Sequence, residues 1–347
     1  IAKIISLTTT KHKFMIKKST QKICIALSCL IASSCAVFQP KKNESAKPKQ
    51  EKSASDIKPY SKVITDKAKT DEGLFNVHYL DKKYFYEIPD SILNREMLMV
   101  TRIAKTATGI GFGGGKQNTQ VLRWQKKGDN ILLRVVSHEI VAADSLPIHE
   151  AVVNSNFEPI LYSFPIKAFH KDSVNNASVI EVTDLFEKDI QALGLRQSRR
   201  KAYKISKVDG NRSYVDTIKS FPQNIEVRHV KTYNAGNPPS NETTGSISLE
   251  FSNSMILLPK EPMKRRYFDE RVGWFARSQT DYGLDAQKSK EVKYLDRWRL
   301  EVKEEDKEKF KNGELVEPKK QIVYYIDPAT PQKWRKYIKQ GIEDWQV

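Results

Sequence analysis

Val121-Leu122-Arg123-Trp124-Gln125, then Lys127-Gly128-Asp129-Asn130, then Ile131-Leu132-Leu133-Arg134-Val135-Val136: this is the stretch from which the fold is read. The first piece alternates like a strand. The last is a short apolar run of strand length, and the Gly-Asp-Asn between them is hairpin chemistry. Strand-like runs recur downstream at 160–166, 179–182, 202–208, 213–218, 225–230, 246–251, 255–258, 274–277 and 292–300. Asp209-Gly210-Asn211 and Asn237-Pro238-Pro239 read as turns between them. Residues 146–154 suit a short helix, and 304–312 a charged one leading onward. The expected class is therefore α+β and β-rich, with an antiparallel sheet or sandwich occupying 106–312.

Upstream, Phe75-Asn76-Val77-His78-Tyr79 and Tyr84-Phe85-Tyr86-Glu87-Ile88 flank Leu80-Asp81-Lys82-Lys83, a second hairpin pattern. Pro89-Asp90 opens a short turn or helix, and 97–103 is a further strand. These define a small N-terminal module at 71–105. Thr108-Gly109-Ile110-Gly111-Phe112-Gly113-Gly114-Gly115 is glycine-rich but lacks the Gly-Lys-Ser/Thr ending of a phosphate-binding loop. No amphipathic helix follows it, so it reads as a flexible loop.

Residues 313–347 begin something different. Gln321-Ile322-Val323-Tyr324-Tyr325-Ile326 has the continuous apolar character of a strand covered on both faces. Thr330 and Pro331 suit a helix N-cap and first position. Trp334, Tyr337, Ile338, Ile342 and Trp345 follow at steps of three and four, on one helix face. One strand and one helix cannot cover two tryptophans, so this pair is expected to open a further domain.

The net charge of +17 invites a nucleic-acid reading, but its distribution argues against one. Residues 1–70 hold 15 lysines and four acids, a balance of +11, which leaves +6 for the remainder. A nucleic-acid surface would place the excess on the folded part. The lysines instead belong to an export signal and a tether. Met15 is the expected start, followed by Lys17, Lys18 and Lys22, an apolar run over 23–32, and Ser33-Ser34-Cys35. That run is shorter than the roughly 20 residues of a spanning helix. Ala32-Ser33-Ser34-Cys35 resembles a bacterial lipobox, with Ala32 where leucine is more usual. Ala26-Leu27-Ser28-Cys29 is a rival that leaves only six residues of apolar run. Residues 1–35 are thus read as upstream extension and lipoprotein-type signal, with Cys35 the lipidated residue. Cleavage there removes Cys24 and Cys29 and leaves no disulfide framework. Residues 36–70, rich in Lys, Ser, Glu, Gln, Pro and Ala, read as a flexible tether.

Six histidines offer little chemistry: His12, His78, His138, His149, His170 and His229. His138-Glu139 and His149-Glu150 both lack the second histidine that a helical H-E-x-x-H zinc site needs. His170 and His229 stand isolated, as structural or surface residues would. Carboxylate pairs such as Asp184/Glu187 and Glu304/Glu305 are too common to nominate a glycosidase. The run Arg196-Gln197-Ser198-Arg199-Arg200-Lys201 reads as a solvated loop, with acidic glycan or phosphate binding as the lesser reading. No catalytic and no metal-binding residue is nominated.

Several stretches nevertheless resemble one family. They are Arg102-Ile103-Ala104-Lys105, Asn154-Ser155-Asn156-Phe157-Glu158-Pro159-Ile160, Glu226-Val227-Arg228-His229 and Met255-Ile256-Leu257-Leu258-Pro259. Further along come Arg271-Val272-Gly273-Trp274-Phe275, Ser278-Gln279-Thr280-Asp281-Tyr282-Gly283 and Arg297-Trp298-Arg299-Leu300. Tyr325-Ile326-Asp327-Pro328-Ala329-Thr330-Pro331 with Gly341-Ile342-Glu343-Asp344-Trp345 is the most specific. In order and spread they resemble bacterial secreted zinc-dependent metalloproteases, in which domains of unknown function 5118 and 5117 precede a metzincin-like peptidase. The resemblance implies that 313–347 holds the first strand and helix of a truncated α/β peptidase domain. It places the zinc motif downstream of Val347, so this fragment should bind no zinc and cleave nothing. The full-length protein is expected to hydrolyse peptide or protein substrates with zinc, exported to the cell envelope and anchored by lipid to the outer membrane, facing periplasm or cell surface. The alternative is a non-enzymatic β-rich lipoprotein that binds peptide or glycan. Mass spectrometry of the membrane-extracted protein checks the processing: an acylated N-terminal Cys35 is expected, and an unmodified Cys35 inside an intact peptide rules it out.

Overall fold

The structure, a computed structural model, describes residues 57–171, 176–240, 242–284 and 288–345. The expected signal, Cys35 and most of the expected tether lie outside these residues. Fourteen strands follow one another among them. The first six are β1 (Lys69–Asp71), β2 (Asn76–Leu80), β3 (Lys83–Pro89), β4 (Glu96–Lys105), β5 (Lys116–Lys127) and β6 (Asn130–Val136). Then come β7 (Ile140–Val141), β8 (Ile160–Lys171), β9 (Asn176–Glu181), β10 (Ile205–Phe221) and β11 (Asn224–Ala235). The last three are β12 (Ser246–Leu257), β13 (Ala276–Asp281) and β14 (Lys290–Leu295).

Eleven of these form one sheet in the order β1-β2-β3-β9-β8-β6-β5-β4-β12-β11-β10. Every neighbouring pair in it is antiparallel. The fold is thus α+β and strongly β-rich. The hairpin at 121–136 is present, with Lys127 opposite Asn130 and Gly128 at φ 56°. In the β2–β3 hairpin the two turn residues, Asp81 and Lys82, are both left-handed, at φ 49° and 63°. That is the type I′ geometry whose twist matches the flanking strands.

The sheet curls until its two ends meet. The Leu74 amide donates to the Phe221 carbonyl at 2.8 Å, and the Ser220 hydroxyl donates to the Phe75 carbonyl at 2.7 Å. The Asp71 carboxylate accepts from the Ser220 amide at 2.8 Å. Gly73 permits this approach: a Cβ there would lie 2.5 Å from Ser220 Oγ and 2.7 Å from the Phe221 nitrogen. Inside the curl, Tyr86, Trp124, Phe164, Met97, Ile131 and Leu133 pack together. Trp124 meets the Tyr86 ring edge-on at 6.2 Å. Residues 182–195 cross the concave face as a plug, burying Leu185, Phe186, Leu193 and Leu195 completely. A smaller cluster around Ile103, Tyr233, Leu249 and Phe251 continues the core beyond Leu195.

Several expectations are corrected. Residues 57–70 are folded rather than tether: helix Tyr60–Val63 and β1 lie here, and Tyr60, Val63, Ile64 and Ala68 cover the outer face at Phe85 and Val179. A lysine-rich average had concealed these apolar positions. The segment 71–105, expected as a small module, shares its sheet with later strands: β3 pairs with β9, and β4 with both β5 and β12. Asp209-Gly210-Asn211 does not end a strand. It bulges within β10, with Asp209 accepting from the Asn211 amide at 3.0 Å and pairing with Arg212. Likewise Ser252-Asn253-Ser254 stays inside β12. Strands β14, β13 and β7 form a separate three-stranded sheet.

The terminal helix exists, at Gln332–Glu343, but the strand expected at 321–326 does not. A strand needs a hydrogen-bonding neighbour, and none of the described residues pairs with this run. Tyr325 is 93% exposed. Among the described residues no helix is long and apolar enough to cross a membrane.

Closure generates a prediction. Gly73→Ala forces a methyl group against backbone atoms of 220–221 and should cost about 1–3 kcal/mol, the usual penalty of overpacking. Urea unfolding measures it; an unchanged midpoint would show that the two ends need not touch.

Candidate functional site

Three features stand out: a carboxylate on the outer face held by four donors, a buried polar row on the inner face, and an exposed aromatic surface in the last third.

Glu87 faces outward from β3, since Tyr84, Tyr86 and Ile88 point in. Asn76 sits directly opposite it on β2, and His78 lies two residues further on the same face. A bulge in β8 between Ile166 and Ala168 shifts the alternation, so Phe164 and Ile166 face the inner core while Ala168 joins the outer cluster. His170 is thereby brought to the same carboxylate. One Glu87 oxygen accepts from Tyr60 at 2.6 Å and His78 Nε2 at 3.0 Å. The other accepts from His170 Nδ1 at 2.8 Å and Asn76 at 3.3 Å. Thr70, opposite His78 across β1–β2, bonds its Nδ1 at 2.8 Å. Tyr60 also stacks on His170, ring centres 4.2 Å apart. Burial pushes the Glu87 carboxyl upward, but hydrogen bonds from His78, Tyr60 and His170 outweigh it and hold it down to about 2. Burial, with the anion beside it, raises the Tyr60 phenol. The carboxylate thus clamps the first described segment to the sheet.

On the inner face, β11 presents His229, Lys231 and Tyr233 in succession, all with no exposed surface. His229 Nε2 bonds Asn253 Oδ1 at 2.6 Å, and the Asn253 amide donates to Thr101 at 2.7 Å. His229 Nδ1 has no hydrogen-bond partner among the described residues. Burial, and secondarily the Lys231 charge, lowers this histidine to about 3, so it is neutral in physiological conditions. Lys231 donates to the Lys188 carbonyl at 2.6 Å; burial lowers it to about 8 against the opposing pull of Asp189. Arg200 grips Asp189 through two bonds, 2.9 and 2.7 Å, and lies over the Tyr233 ring at 5.5 Å. The basic run at 196–201 is therefore a short helix with one guanidinium tied down, not a solvated loop. The plug seals this row, which braces the scaffold.

The third feature differs in kind. Trp274, Phe275, Trp298, Tyr324, Tyr325, Trp334, Tyr337 and Trp345 are all exposed. No residue of helix Gln332–Glu343 is buried. Exposed apolar side chains in this number are more than the scattered single residues common on protein surfaces.

His138 bonds Glu96 at 3.0 Å, and that bond raises its pKa against partial burial. His149 Nδ1 is 3.0 Å from the Ala142 carbonyl. Asp184 pairs with Lys188, while burial raises Glu187. Cys35, Cys29 and His12 lie outside the described residues. Among the described residues no group of three or more His, Cys, Asp or Glu could hold a metal ion. His78, Glu87 and His170 do not fit zinc, because each nitrogen facing Glu87 is already bonded to it. Sequence reading missed the Glu87 centre and Lys231. Thr70, Asn76, His78 and Glu87 become neighbours through strand pairing alone, and His170 joins from far along the chain.

A family model described as Domain of unknown function (DUF5117) matches residues 114–303, more than half of the chain. A second, described as Domain of unknown function (DUF5118), matches 57–106. No curated protein and no solved structure matches.

The Glu87 centre predicts a pH signature. Its folded pKa lies below the unfolded value near 4.3, so its stabilisation is present above about pH 5 and fades as pH falls toward 2. Glu87→Gln should cost about 1–3 kcal/mol at neutral pH, as expected for disrupting buried hydrogen bonds to a charged group. The difference from wild type should shrink on acidification. A constant difference down to low pH would remove the carboxylate from this role.

Proposed function

The chain belongs to the family described as Domain of unknown function (DUF5117), and from that premise we propose that it is the N-terminal accessory region of an envelope-anchored, zinc-dependent metalloprotease. In this reading the full-length protein hydrolyses peptide bonds in a metzincin-like domain downstream. Lipid on Cys35 holds it to the membrane, and the curled sheet is a rigid platform beside the peptidase. Zinc would supply a polarised water in that downstream domain; no described residue here is assigned to hold it.

The observation that supports the reading is the uncovered terminus. Helix Gln332–Glu343 turns Trp334, Tyr337 and Ile338 toward solvent. The extended run 321–326 before it has apolar side chains and no strand partner among the described residues. Covering them would contribute about 25 cal/mol for each Å² of apolar surface removed from water, a docking energy available to a domain that pairs with the run and packs on the helix. A second reading, a lipoprotein that binds peptide or glycan without hydrolysing anything, draws on a different observation, the exposed Trp274 and Trp298.

The test compares this chain with one extended by the codons that follow Val347. The extended protein is expected to hydrolyse casein in a zinc-dependent, chelator-sensitive way, and to protect the amides of 321–343 from hydrogen exchange. A stop codon close behind Val347, or an extended protein with neither hydrolysis nor added protection, defeats the proposal.

A further inference from the structure

Residues 266–277 and 296–300 build an open groove of about 830 Å³. Its floor is fixed by backbone bonds. The Leu295 amide donates to the Arg266 carbonyl and the Asp296 amide to the Phe275 carbonyl, both at 2.9 Å. One wall is a stapled loop: Asp269 accepts from the Arg271 amide and pairs with its guanidinium, and the Trp274 amide donates to Val272 at 2.8 Å. Along the extended run after β14, Arg297 donates to the Lys264 carbonyl at 2.8 Å and Arg299 to the Glu261 carbonyl at 3.1 Å. This side is therefore held in place although little of it is buried.

The lining is of two kinds. Trp274, Phe275, Trp298 and Leu300 supply apolar surface, and more than half of each side chain is exposed. Arg266, Arg277 and Arg297 supply charge, against the single carboxylate of Asp296. Among the described residues the Asp296 carboxylate pairs with Arg277 Nε alone, at 3.0 Å, and the Arg277 side chain stays 82% exposed. Arg297 spends one nitrogen on Lys264. The Arg266 guanidinium has no partner among the described residues. The groove is thus net cationic, and all its cations are guanidiniums, which hold carboxylates in paired bonds and lie flat on aromatic faces.

We propose that this groove binds an acidic peptide segment. One aromatic or aliphatic side chain seats against Trp274 and Trp298, and flanking carboxylates meet Arg266, Arg277 and Arg297. An apolar anchor ringed by charge-assisted bonds is the usual anatomy of a peptide hot spot. Single-stranded nucleic acid would also use both the arginines and the aromatic faces. The groove, however, carries only three arginines against Asp296, whereas a nucleic-acid surface spreads a larger basic patch over the folded part. The binding experiment separates it and a lipid surface from peptide. The inference stands on this groove alone and does not rest on the peptidase reading.

Fluorescence anisotropy tests it with the full chain and a labelled, end-blocked peptide carrying one phenylalanine among glutamates. Saturable binding that weakens as salt is raised is expected. Trp298→Ala and Arg266→Glu should each weaken it by about tenfold or more, as loss of a hot-spot residue does. Arg266→Gln should fall between, and a lysine-for-glutamate peptide should not bind. Thermal unfolding of each variant should match wild type, since these side chains are exposed. No binding by the wild-type chain overturns the proposal. So does equal binding of the charge-reversed peptide, equal binding by all variants, or binding of anionic vesicles or single-stranded DNA in place of the peptide. Absence of zinc-dependent hydrolysis would leave this result standing, and loss of peptide binding would leave the covering of helix Gln332–Glu343 untouched.

Discussion

The close contact between Gly73 and Ser220 is the constraint on which the sheet depends. A long antiparallel sheet twists, and its two edge strands expose unpaired backbone groups. Here the ends are bonded to each other through Leu74 to Phe221, Ser220 to Phe75 and Ser220 to Asp71. Curling to that point turns one face into an enclosed interior. That interior is wide enough to need more than strand side chains, so residues 182–195 cross it and deliver Phe186 and Leu193. The order of causes is geometric: the glycine lets the ends meet, the meeting encloses the face, and the plug fills what the strands leave open.

The buried polar groups then tie particular strands together. Glu87 joins β2, β3, β8 and the segment at Tyr60. Thr101, Asn253 and His229 form a chain of bonds across β4, β12 and β11. Each centre bonds partners that only the native strand order brings close. An unpaired buried carboxylate or amide costs more than its bonds return, so a slipped register is penalised at both places. Lys231 carries the opposite balance. Its single carbonyl partner compensates little for removing an ammonium from water, and its lowered pKa expresses that cost.

What could be read from sequence followed the range of the interactions. The hairpins at 76–89 and 116–136 are local, and alternation with turn chemistry disclosed them. Residues 209–211, read as a turn, and the gap left between strand runs at 252–254 carry Asp, Asn and Ser side chains that bond nearby backbone, with Gly210 free to take turn conformations. They remain in strands because β11 pairs along both sides of them. His78, His170 and His229 looked unremarkable because their partners arrive through pairing and a bulge. Arg200 looked solvated because Asp189 and Tyr233 meet it only once the plug is laid down. The aromatic groove was quoted from sequence, in Trp274 and Trp298, without any sign that the two line one space.

The last third of the chain obeys a different rule from the sheet. Strand side chains in the curl reach complete burial, so their order is self-supplied. A helix of 12 residues with none buried lacks that source. Isolated helices of this length are marginal in water, and most helical stability in proteins comes from packing an apolar face. Exposed pairs such as Lys339 with Glu343 add only a few tenths of a kcal/mol. The ridge of Trp334, Tyr337 and Ile338 is the side on which this helix can gain the packing that strand residues obtain within the sheet. The same accounting separates the groove from the helix. Its walls are already stapled by backbone and guanidinium bonds, so a ligand there finds a formed surface and meets less ordering cost.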